Sequence, residues 1–348
     1  MEKKYIIYDP NPGGNIRDNL YAARMVDLLS QYYQVVGIEN ISNDPYKLRQ
    51  VKCVFLNWTE YRLNTFLKRR LYLYRLYNIK IFWAFHNRVP HDFVEQKQVQ
   101  NLRWLANFCD RIILLSESSR KYLPDYRKNG KKAIYVPHIN YIDAYPKTNT
   151  DIRKTHGIDE ESVVFSFLGK LRPYKNIDLI IDAFIELNLP NAFLLIAGPI
   201  QDSRFNNDVL RQTGLDKRII VDLGRISNGD METYLRASDV LILPYNKTSS
   251  MNSGAMIMAF SYGRTVIIPR IAMAEDIYDE GIAFIYDYET QEENYTALKA
   301  EMYKAYNLRR ENLLKMGKRA KDYMENYNGE IETEETLRRA GILESEKV

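Results

Sequence analysis

Short apolar runs alternate along the chain with longer stretches whose apolar positions recur at helical spacing. In the first part of the chain the short runs predict strands at Lys4–Tyr8, Tyr33–Ile38, Val51–Phe55, Lys80–Phe85, Arg111–Leu115 and Ala133–Val136. The longer stretches predict helices at Asn15–Gln31, Glu60–Tyr77 and His91–Phe108. Strands that alternate with helices form parallel sheets, and ligands bind such sheets at the carboxyl ends of the strands.

The alternation stops between His138 and Ile158, a polar segment that contains Pro146 and predicts an interdomain linker leading into a short helix. A second series then predicts strands at Val163–Gly169, Ala192–Gly198, Arg218–Gly224, Asp239–Tyr245 and Thr265–Pro269, with helices at Asn176–Leu187, Asn228–Ala237 and Ser253–Tyr262. Beyond Asn294 the chain is charged and helical. We therefore predict two Rossmann-like domains, 1–145 and 146–320, and a helical tail, 321–348.

Composition narrows the class of protein. Of the 348 residues 45% are hydrophobic and 27% are charged, which is ordinary for a soluble globular protein and excludes disorder. The net charge of +4 is too small to argue for nucleic acid as a partner. Cys53 and Cys109 lie in apolar surroundings, so we expect free thiols in a reducing, cytoplasmic compartment. Tyrosine occurs 27 times against 13 phenylalanines and 3 tryptophans, so much of the aromatic surface carries a hydroxyl.

A cationic turn follows the strand that ends at Gly169. Lys170, Arg172 and Lys175 stand between this strand and the next helix, where basic side chains can neutralise a diphosphate. The alternative is a solvated loop with ordinary basic residues.

A second segment, 246–255, also follows a predicted strand and opens an apolar helix. Ser253 is a typical N-cap residue, and a capped helix N-terminus binds anions through its backbone N–H groups. Gly254 would let a phosphate approach the backbone closely. A capping loop without a ligand is the alternative, but two such loops in one domain favour an anion site.

These segments resemble a known family. FLGKLRPYKNIDLIIDAF, LLIAGP, ASDVLILPY and SGAMIMAFSYGRTVIIP, in this order and spacing, resemble the C-terminal domain of GT-B glycosyltransferases of the GT4-like group. The resemblance covers Val163–Pro269 well and the first half more loosely. It implies the α/β GT-B fold, with two Rossmann-like domains facing each other across a cleft and C-terminal helices packing back on the N-terminal domain.

The resemblance also implies a reaction, which is sugar transfer from a nucleotide-diphospho-sugar without a metal or a cofactor. The family's basic pair corresponds to Lys170 and Lys175, with Arg172 as a further diphosphate ligand, beside the helix start at Ser253 and Gly254. For the donor sugar and nucleotide the expected ligands are Ser250, Asn252, Arg225, Tyr245 and Glu275.

One departure from the family affects the stereochemistry. Many retaining members carry two glutamates eight positions apart, where this chain has Ser250 and Met258. Its S-G-A and R-P-Y-K loops resemble a bacterial polysaccharide subgroup with β-mannosyltransferase-like members. Inverting and retaining mechanisms both stay open. A nucleotide-sugar 2-epimerase of the same fold and a non-catalytic nucleotide-sugar-binding subunit are the alternative functions.

In the first half, two segments follow predicted strands. Gly13 and Gly14 would face the donor diphosphate in the resembled fold, or else form a plain tight turn. In Phe85–Asp92, His86 is expected to hydrogen-bond sugar or phosphate, and His91 or Asp92 is expected to be the general base. A structural histidine and a helix-capping Asp92 are the alternatives. His138 is a further candidate at the start of the linker.

The stretch Tyr61–Lys80 is basic. Leu63, Phe66, Leu67, Leu71 and Tyr74 recur at helical spacing, whereas Lys68, Arg69 and Arg75 lie off that stripe. An amphipathic surface helix is the simpler interpretation. A peripheral contact with an anionic membrane, at the inner face of the cell membrane, would suit a lipid-linked acceptor.

Overall fold

The computed structural model describes residues 2–14, 19–88, 96–200, 214 and 216–344. The chain divides into two compact units. One comprises Met1–Ile139 together with Tyr327–Val348, and the other comprises Asn140–Asn326. Each unit is built around one parallel sheet.

The first unit has its described strands in the order β2-β1-β3-β4-β5-β6. These are β1 Tyr5–Asp9, β2 Gln34–Gly37, β3 Val51–Asn57, β4 Lys80–Phe85, β5 Arg111–Leu114 and β6 Ala133–Tyr135. The helices are α1 Leu20–Ser30, α2 Pro45–Arg49, α3 Thr65–Leu76, α4 Gln96–Phe108 and α5 Tyr126–Asn129, with 3-10 turns at Thr59–Tyr61, Glu117–Tyr122 and Gly130–Lys132. The central strands are buried along almost their whole length, as in a parallel sheet that helices cover on both faces.

The second unit has its described strands in the order β12-β11-β10-β7-β8-β9. These are β7 Val163–Leu168, β8 Ala192–Ala197, β9 Ile219–Asp222, β10 Val240–Ile242, β11 Thr265–Pro269 and β12 Phe284–Tyr286. The helices are α6 Ile152–Thr155, α7 Ile177–Leu187, α8 Met231–Ala237, α9 Gly254–Ser261, α10 Ala272–Glu275 and α11 Gln291–Tyr327, with 3-10 turns at Pro173–Lys175 and Tyr278–Glu280. Apolar side chains of β7, β8 and α7 form the centre of its core.

Strand order defines one switch point in each sheet. In the first sheet the chain goes outward from β1 to β2 and then returns to β3 on the other side of β1. In the second sheet β7 and β10 are the neighbours at which the order reverses. The loops after two such strands diverge, and the crevice between them is where open α/β sheets bind ligands. The strand order therefore indicates that a ligand binds at the loops after β1 and β3 in one unit, and at the loops after β7 and β10 in the other.

Several predicted elements are corrected. The helix expected at Glu60–Tyr77 begins only at Thr65, because the Asn64 side chain accepts a hydrogen bond from the Leu67 backbone N–H (2.9 Å) and caps the helix there. The short strand β12 was not predicted. Phe66, expected in the buried stripe, is 61% exposed. The starts predicted at Asn15 and His91 lie outside the described residues.

The last helix, α12 (Glu330–Ala340), belongs to the first unit. Gln31 Nε2 donates to Glu330 Oε1 (2.6 Å), and Asn328 Nδ2 donates to the His138 carbonyl (2.8 Å). The long helix before it is interrupted at Arg309, whose φ is 62°. Among the helices described, none combines the length and the apolar character needed to cross a bilayer.

Candidate active site

Two glycines shape the loop after β7. Gly169 and Gly198 have φ of +128° and +139°, which favours glycine, and a Cβ on Gly198 would lie 2.2 Å from the Gly169 carbonyl oxygen. This close approach continues the pairing beyond the strands, since the Leu171 backbone N–H donates to the Pro199 carbonyl (2.9 Å). The chain then turns through Pro173–Lys175 into α7.

Lys175 is the half-buried cation of this turn. Its Nζ lies 5.3 Å from the Phe167 ring centroid. Burial, together with the nearby charges of Arg172 and Lys170, lowers the pKa of Lys175 to about 7. Across the described residues, no carboxylate forms an ion pair with Lys175. Three cations on one turn, one of them poorly solvated, make a place where an anion is favoured.

The structure joins the two predicted anion-binding loops. The Asn246 backbone N–H donates to the Tyr174 carbonyl (3.1 Å), and Asn176 Nδ2 donates to the Pro244 carbonyl (2.7 Å). The Tyr174 and Tyr245 rings are 6.2 Å apart. Residues about 70 apart in the sequence thus form one surface at the carboxyl edge of the central strands.

Ser253 caps α9, as predicted. Its backbone is extended, and its Oγ accepts a hydrogen bond from the Met256 N–H (3.1 Å). The Tyr245 hydroxyl lies 3.3 Å from the same Oγ, so Tyr245 supports the cap. Gly254 is the first residue of the helix. Because this helix follows β10, its N-terminus and the positive end of its dipole lie on the carboxyl side of the sheet.

The two positions of the missing glutamates have different surroundings. Ser250 is buried, and its Oγ has no hydrogen-bond partner among the residues described, an unfavourable state that a polar ligand would relieve. Met258 is buried in α9, and its Sδ accepts from the Tyr145 hydroxyl (3.6 Å). Only the first of these positions therefore offers an unsatisfied polar group.

The other predicted donor ligands are not all brought together. Asn252 lies in the loop with Ser250, and Glu275 ends α10, which is fixed to that loop where the Met273 N–H donates to the Met251 carbonyl (3.0 Å). Arg225 is exposed and follows β9, the edge strand two positions from β7. In the strand order, β8 therefore lies between the strand before Arg225 and the strand before the cationic turn.

In the first unit, His86 lies in a buried aromatic cluster. Its ring stacks on Trp58 (centroids 4.1 Å apart) and meets the edge of Tyr21, which also contacts His138. The distance from His86 Nε2 to Asn57 Oδ1 is 2.9 Å. These residues are far apart in the sequence, so the sequence alone did not indicate that they form a cluster.

Burial keeps both histidines neutral. Desolvation, with a contribution from His138, lowers the pKa of His86 to about 3, and desolvation lowers the pKa of His138 to about 4. At physiological pH, His86 is therefore a neutral hydrogen-bonding ring and a weak base. The predicted general bases His91 and Asp92 lie outside the described residues.

Two buried carboxyls at the β1/β3 switch point were missed from the sequence. Asp9 accepts from Thr59 Oγ1 (2.6 Å) and pairs with Arg62, yet burial raises its pKa. Glu60 accepts from Trp83 Nε1 (3.3 Å), and burial raises its pKa to about 7. The position of Asp9 at the end of the first strand was the available signal.

Gly13 and Gly14 form a turn held by Asn11. The Gly13 N–H donates to Asn11 Oδ1 (3.0 Å), and the Gly14 N–H donates to the Asn11 carbonyl (3.1 Å). Both glycines are exposed. No cluster of three or more His, Cys, Asp or Glu able to hold a metal ion occurs in the part of the chain that is described.

The strand order and the two switch points define an α/β protein of two Rossmann-like units. The family profile of the glycosyl transferases group 1 matches residues 148–323, half of the chain, so the chain belongs to this family and is a glycosyltransferase. The predicted GT-B fold is confirmed.

Known proteins resemble it over most of its length. The GDP-mannose:glycolipid 4-beta-D-mannosyltransferase of Xanthomonas campestris pv. campestris is 22% identical over 288 residues, 78% of this chain and 77% of the relative. The crystal structure of Anabaena Alr3699/HepE with UDP-glucose has a TM-score of 0.68 at 13% identity and covers 98% of this chain and 100% of that one. A glycosyltransferase from Rickettsia africae ESF-5 has a TM-score of 0.69 at 14% identity, with 99% and 100% covered.

Proposed function

We propose that this glycosyltransferase moves a hexosyl group from a GDP- or UDP-linked sugar to a hydroxyl of a saccharide or lipid-linked saccharide, in the synthesis of a bacterial surface polysaccharide. The observation that carries the proposal is Lys175, a poorly solvated cation beside Arg172 and Lys170 at the β7/β10 switch point. A diphosphate is the anion that suits three cations and an adjoining helix N-terminus.

The reaction breaks the bond between the sugar's anomeric carbon and the diphosphate oxygen, and negative charge grows on the leaving diphosphate. Lys175 and Lys170, with Arg172, would stabilise that charge, together with the N-terminus of the helix that Ser253 caps and that begins at Gly254. Gly13 and Gly14 are proposed to contact the same diphosphate. In this proposal neither a metal nor a cofactor takes part.

The nucleotide and the donor sugar are proposed to contact the loop of Ser250 and Asn252, together with Tyr245, Glu275 and Arg225. The buried hydroxyl of Ser250, which lacks a protein partner among the described residues, supports this choice. A mannosyltransferase relative uses GDP-mannose by name, and a structural neighbour binds UDP-glucose. Both donors therefore belong in the test.

For the acceptor we propose His91 or Asp92 as the general base and His86 as the residue that orients sugar or phosphate. An inverting course needs such a base, since the acceptor hydroxyl must lose its proton as it attacks. A lipid-linked acceptor is held in a membrane, so the proposed place of reaction is the cytoplasm, at the inner face of the cell membrane.

Calorimetric titration with GDP-mannose, UDP-glucose, GDP and UDP tests the proposal. We expect one nucleotide series to bind, and Lys175→Met to weaken that binding while Lys318→Met, an exposed lysine of α11, leaves it unchanged. If neither series binds, the transferase proposal fails. Hydrogen exchange at the sugar C2 with donor alone would instead indicate the epimerase.

A further inference from the structure

Positive charge is concentrated on one side of the first unit. Segments 61–80, 96–111 and 126–132 together carry thirteen Lys or Arg and one acidic residue, Asp110, although the whole chain has a net charge of only +4. The segments are neighbours in space. Lys128 Nζ donates to Asn107 Oδ1 (3.0 Å), and Asp110 lies 3.7 Å from Arg75 and 3.8 Å from Lys80. Asp125, whose Oδ2 accepts from Asn107 Nδ2 (3.3 Å), is a second carboxylate at this surface, so the local charge is strongly positive although the net charge of the chain is small.

Helix α3 adds apolar side chains to this charge. Its inner face buries Leu67, Leu71 and Tyr74. On the outside, Phe66 is 61% exposed and Leu76 is 81% exposed, with Arg69 between them along the helix. Two large apolar side chains that flank an exposed cation on one helix are unusual for a face that meets only water.

An aromatic cluster lies beside this helix. The Trp104 and Phe108 rings of α4 stack with centroids 4.3 Å apart, and the Tyr72 ring meets Phe108 edge-on at 4.8 Å. Lys68 Nζ lies 5.1 Å from the Trp104 centroid, and the Arg75 guanidinium lies 4.5 Å from that of Phe108. Aromatic rings next to cations are the side chains that favour the boundary between lipid headgroups and acyl chains.

We propose that this surface (Phe66, Lys68, Arg69, Tyr72, Arg75, Leu76 and Trp104, hereafter the α3 surface) binds an anionic lipid bilayer. The cations can pair with acidic headgroups, and Phe66 and Leu76 can enter the boundary between headgroups and acyl chains. A nucleic acid backbone offers no apolar region for these two side chains. The inference rests on the proposed function only for the choice of a membrane as the place of the acceptor. The inference goes beyond the proposed function by naming the surface that contacts the membrane and the negative charge of the lipid.

Sedimentation of the full chain with vesicles tests this surface. We expect binding to phosphatidylcholine vesicles that contain phosphatidylglycerol and little binding to phosphatidylcholine alone, with the difference lost at high salt. Each neutralised cation should lower the partition coefficient about fivefold, so R69Q/R75Q should lower it by roughly 25-fold. F66S/L76S should lower binding to the same vesicles without changing its salt dependence.

Matched controls are available in the chain. K304Q/K318Q removes two exposed cations from α11, and Ile331→Ser removes a side chain of α12 that is 70% exposed. Equal losses in the controls and in the α3 variants would overturn the proposal, as would the absence of binding to anionic vesicles. Donor affinity, measured by calorimetry without vesicles, should be the same in all these proteins. A chain that binds vesicles but no nucleotide-sugar would contradict the proposed function and leave the α3 surface supported.

Discussion

The two switch points occupy the same place in two similar sheets but differ in chemistry. At β1/β3 there are two buried carboxyls, Asp9 and Glu60, and Trp58, whose ring stacks on the neutral His86 of the loop after β4. At β7/β10 they hold Lys170, Arg172 and Lys175 beside a capped helix N-terminus. Topology therefore determines where a ligand can bind, and the side chains of the loops determine which ligand is accepted.

The two sites also differ in how their charged and polar groups are paired. Asp9 is paired with Arg62 and Thr59, and His86 is within hydrogen-bond distance of Asn57. Lys175 has no carboxylate partner among the described residues, and the hydroxyl of Ser250 has no partner there either. At the first site the Tyr21 hydroxyl and Glu60 Oε1 also lack hydrogen-bond partners among the described residues, so both sites can gain from a polar ligand, whereas the Lys175 charge at the second favours an anionic one.

The largest expected effect comes from removing the cation that distinguishes the sites. Lys175→Met should lower kcat/KM by about 10²–10³-fold, because a group that stabilises developing charge on the leaving diphosphate is lost. This loss of kcat/KM is measured by steady-state kinetics with the donor that calorimetry identifies. The unliganded variant should unfold at the same or a higher temperature, since a poorly solvated ammonium is replaced by an apolar side chain.

Lys318→Met on α11 is the matched control for this change. It should keep both kcat/KM and the donor-induced rise in melting temperature, which Lys175→Met should lose. A Lys175→Met enzyme with kcat/KM within threefold of the parent would show that the diphosphate binds elsewhere.

The second prediction concerns the histidine cluster and pH. The pKa values of His86 and His138 are about 3 and about 4 in the folded chain, below the ordinary value near 6.5 that applies after unfolding. The unfolded chain therefore binds protons first as the pH falls, and stability present above pH 6.5 is lost below it. At pH 5 the loss should be about 2 kcal/mol for each histidine, measured by urea unfolding.

Two variants distinguish the cluster from a general acid effect. His86→Gln should be less stable at pH 7.5 but should lose less stability between pH 6.5 and pH 5. His156→Gln, at an exposed position of the second unit, should follow the parent. Equal pH dependence in all three proteins would show that the buried histidines are not the groups that titrate.

Much of this comparison follows from local patterns in the sequence. Apolar runs predicted most strands of both sheets. Ser253 was predicted as an N-cap because the preference for this residue type at a helix start is local. The link from Asn246 to Tyr174 and the stack of His86 on Trp58 join residues that are distant along the chain, and periodicity carries no information about them. Phe66 was assigned to the buried stripe because its spacing fits the helix, although it lies at the margin of the face that packs.

A smaller effect should appear in the pH dependence of donor binding. With a pKa of about 7 in the free enzyme, Lys175 loses its charge as the pH rises, whereas the diphosphate would keep it protonated in the complex. Donor affinity should therefore fall by about tenfold between pH 7 and pH 8.5. A nucleotide-sugar is the right probe for calorimetry, because its diphosphate does not ionise in this range. Lys175→Arg, which stays charged, should bind with a nearly constant affinity; a dependence as steep as that of the parent would assign the titration to another group.

The smallest expected effect concerns the lateral extent of the second site. Arg225 follows β9 at the edge of the sheet, with β8 between it and β7, whereas Lys175 and Ser253 stand on loops that are joined to each other. Because Arg225 is exposed, the loss of its proposed contact with the nucleotide in Arg225→Gln should lower donor affinity by only about threefold, the range of a surface charge that is screened by solvent. Calorimetry with the preferred nucleotide-sugar measures this change, with Arg236→Gln of α8 as an exposed control. Equal donor affinity in Arg225→Gln and Arg236→Gln would remove Arg225 from the proposed donor ligands and would confine donor binding to the loops after β7 and β10.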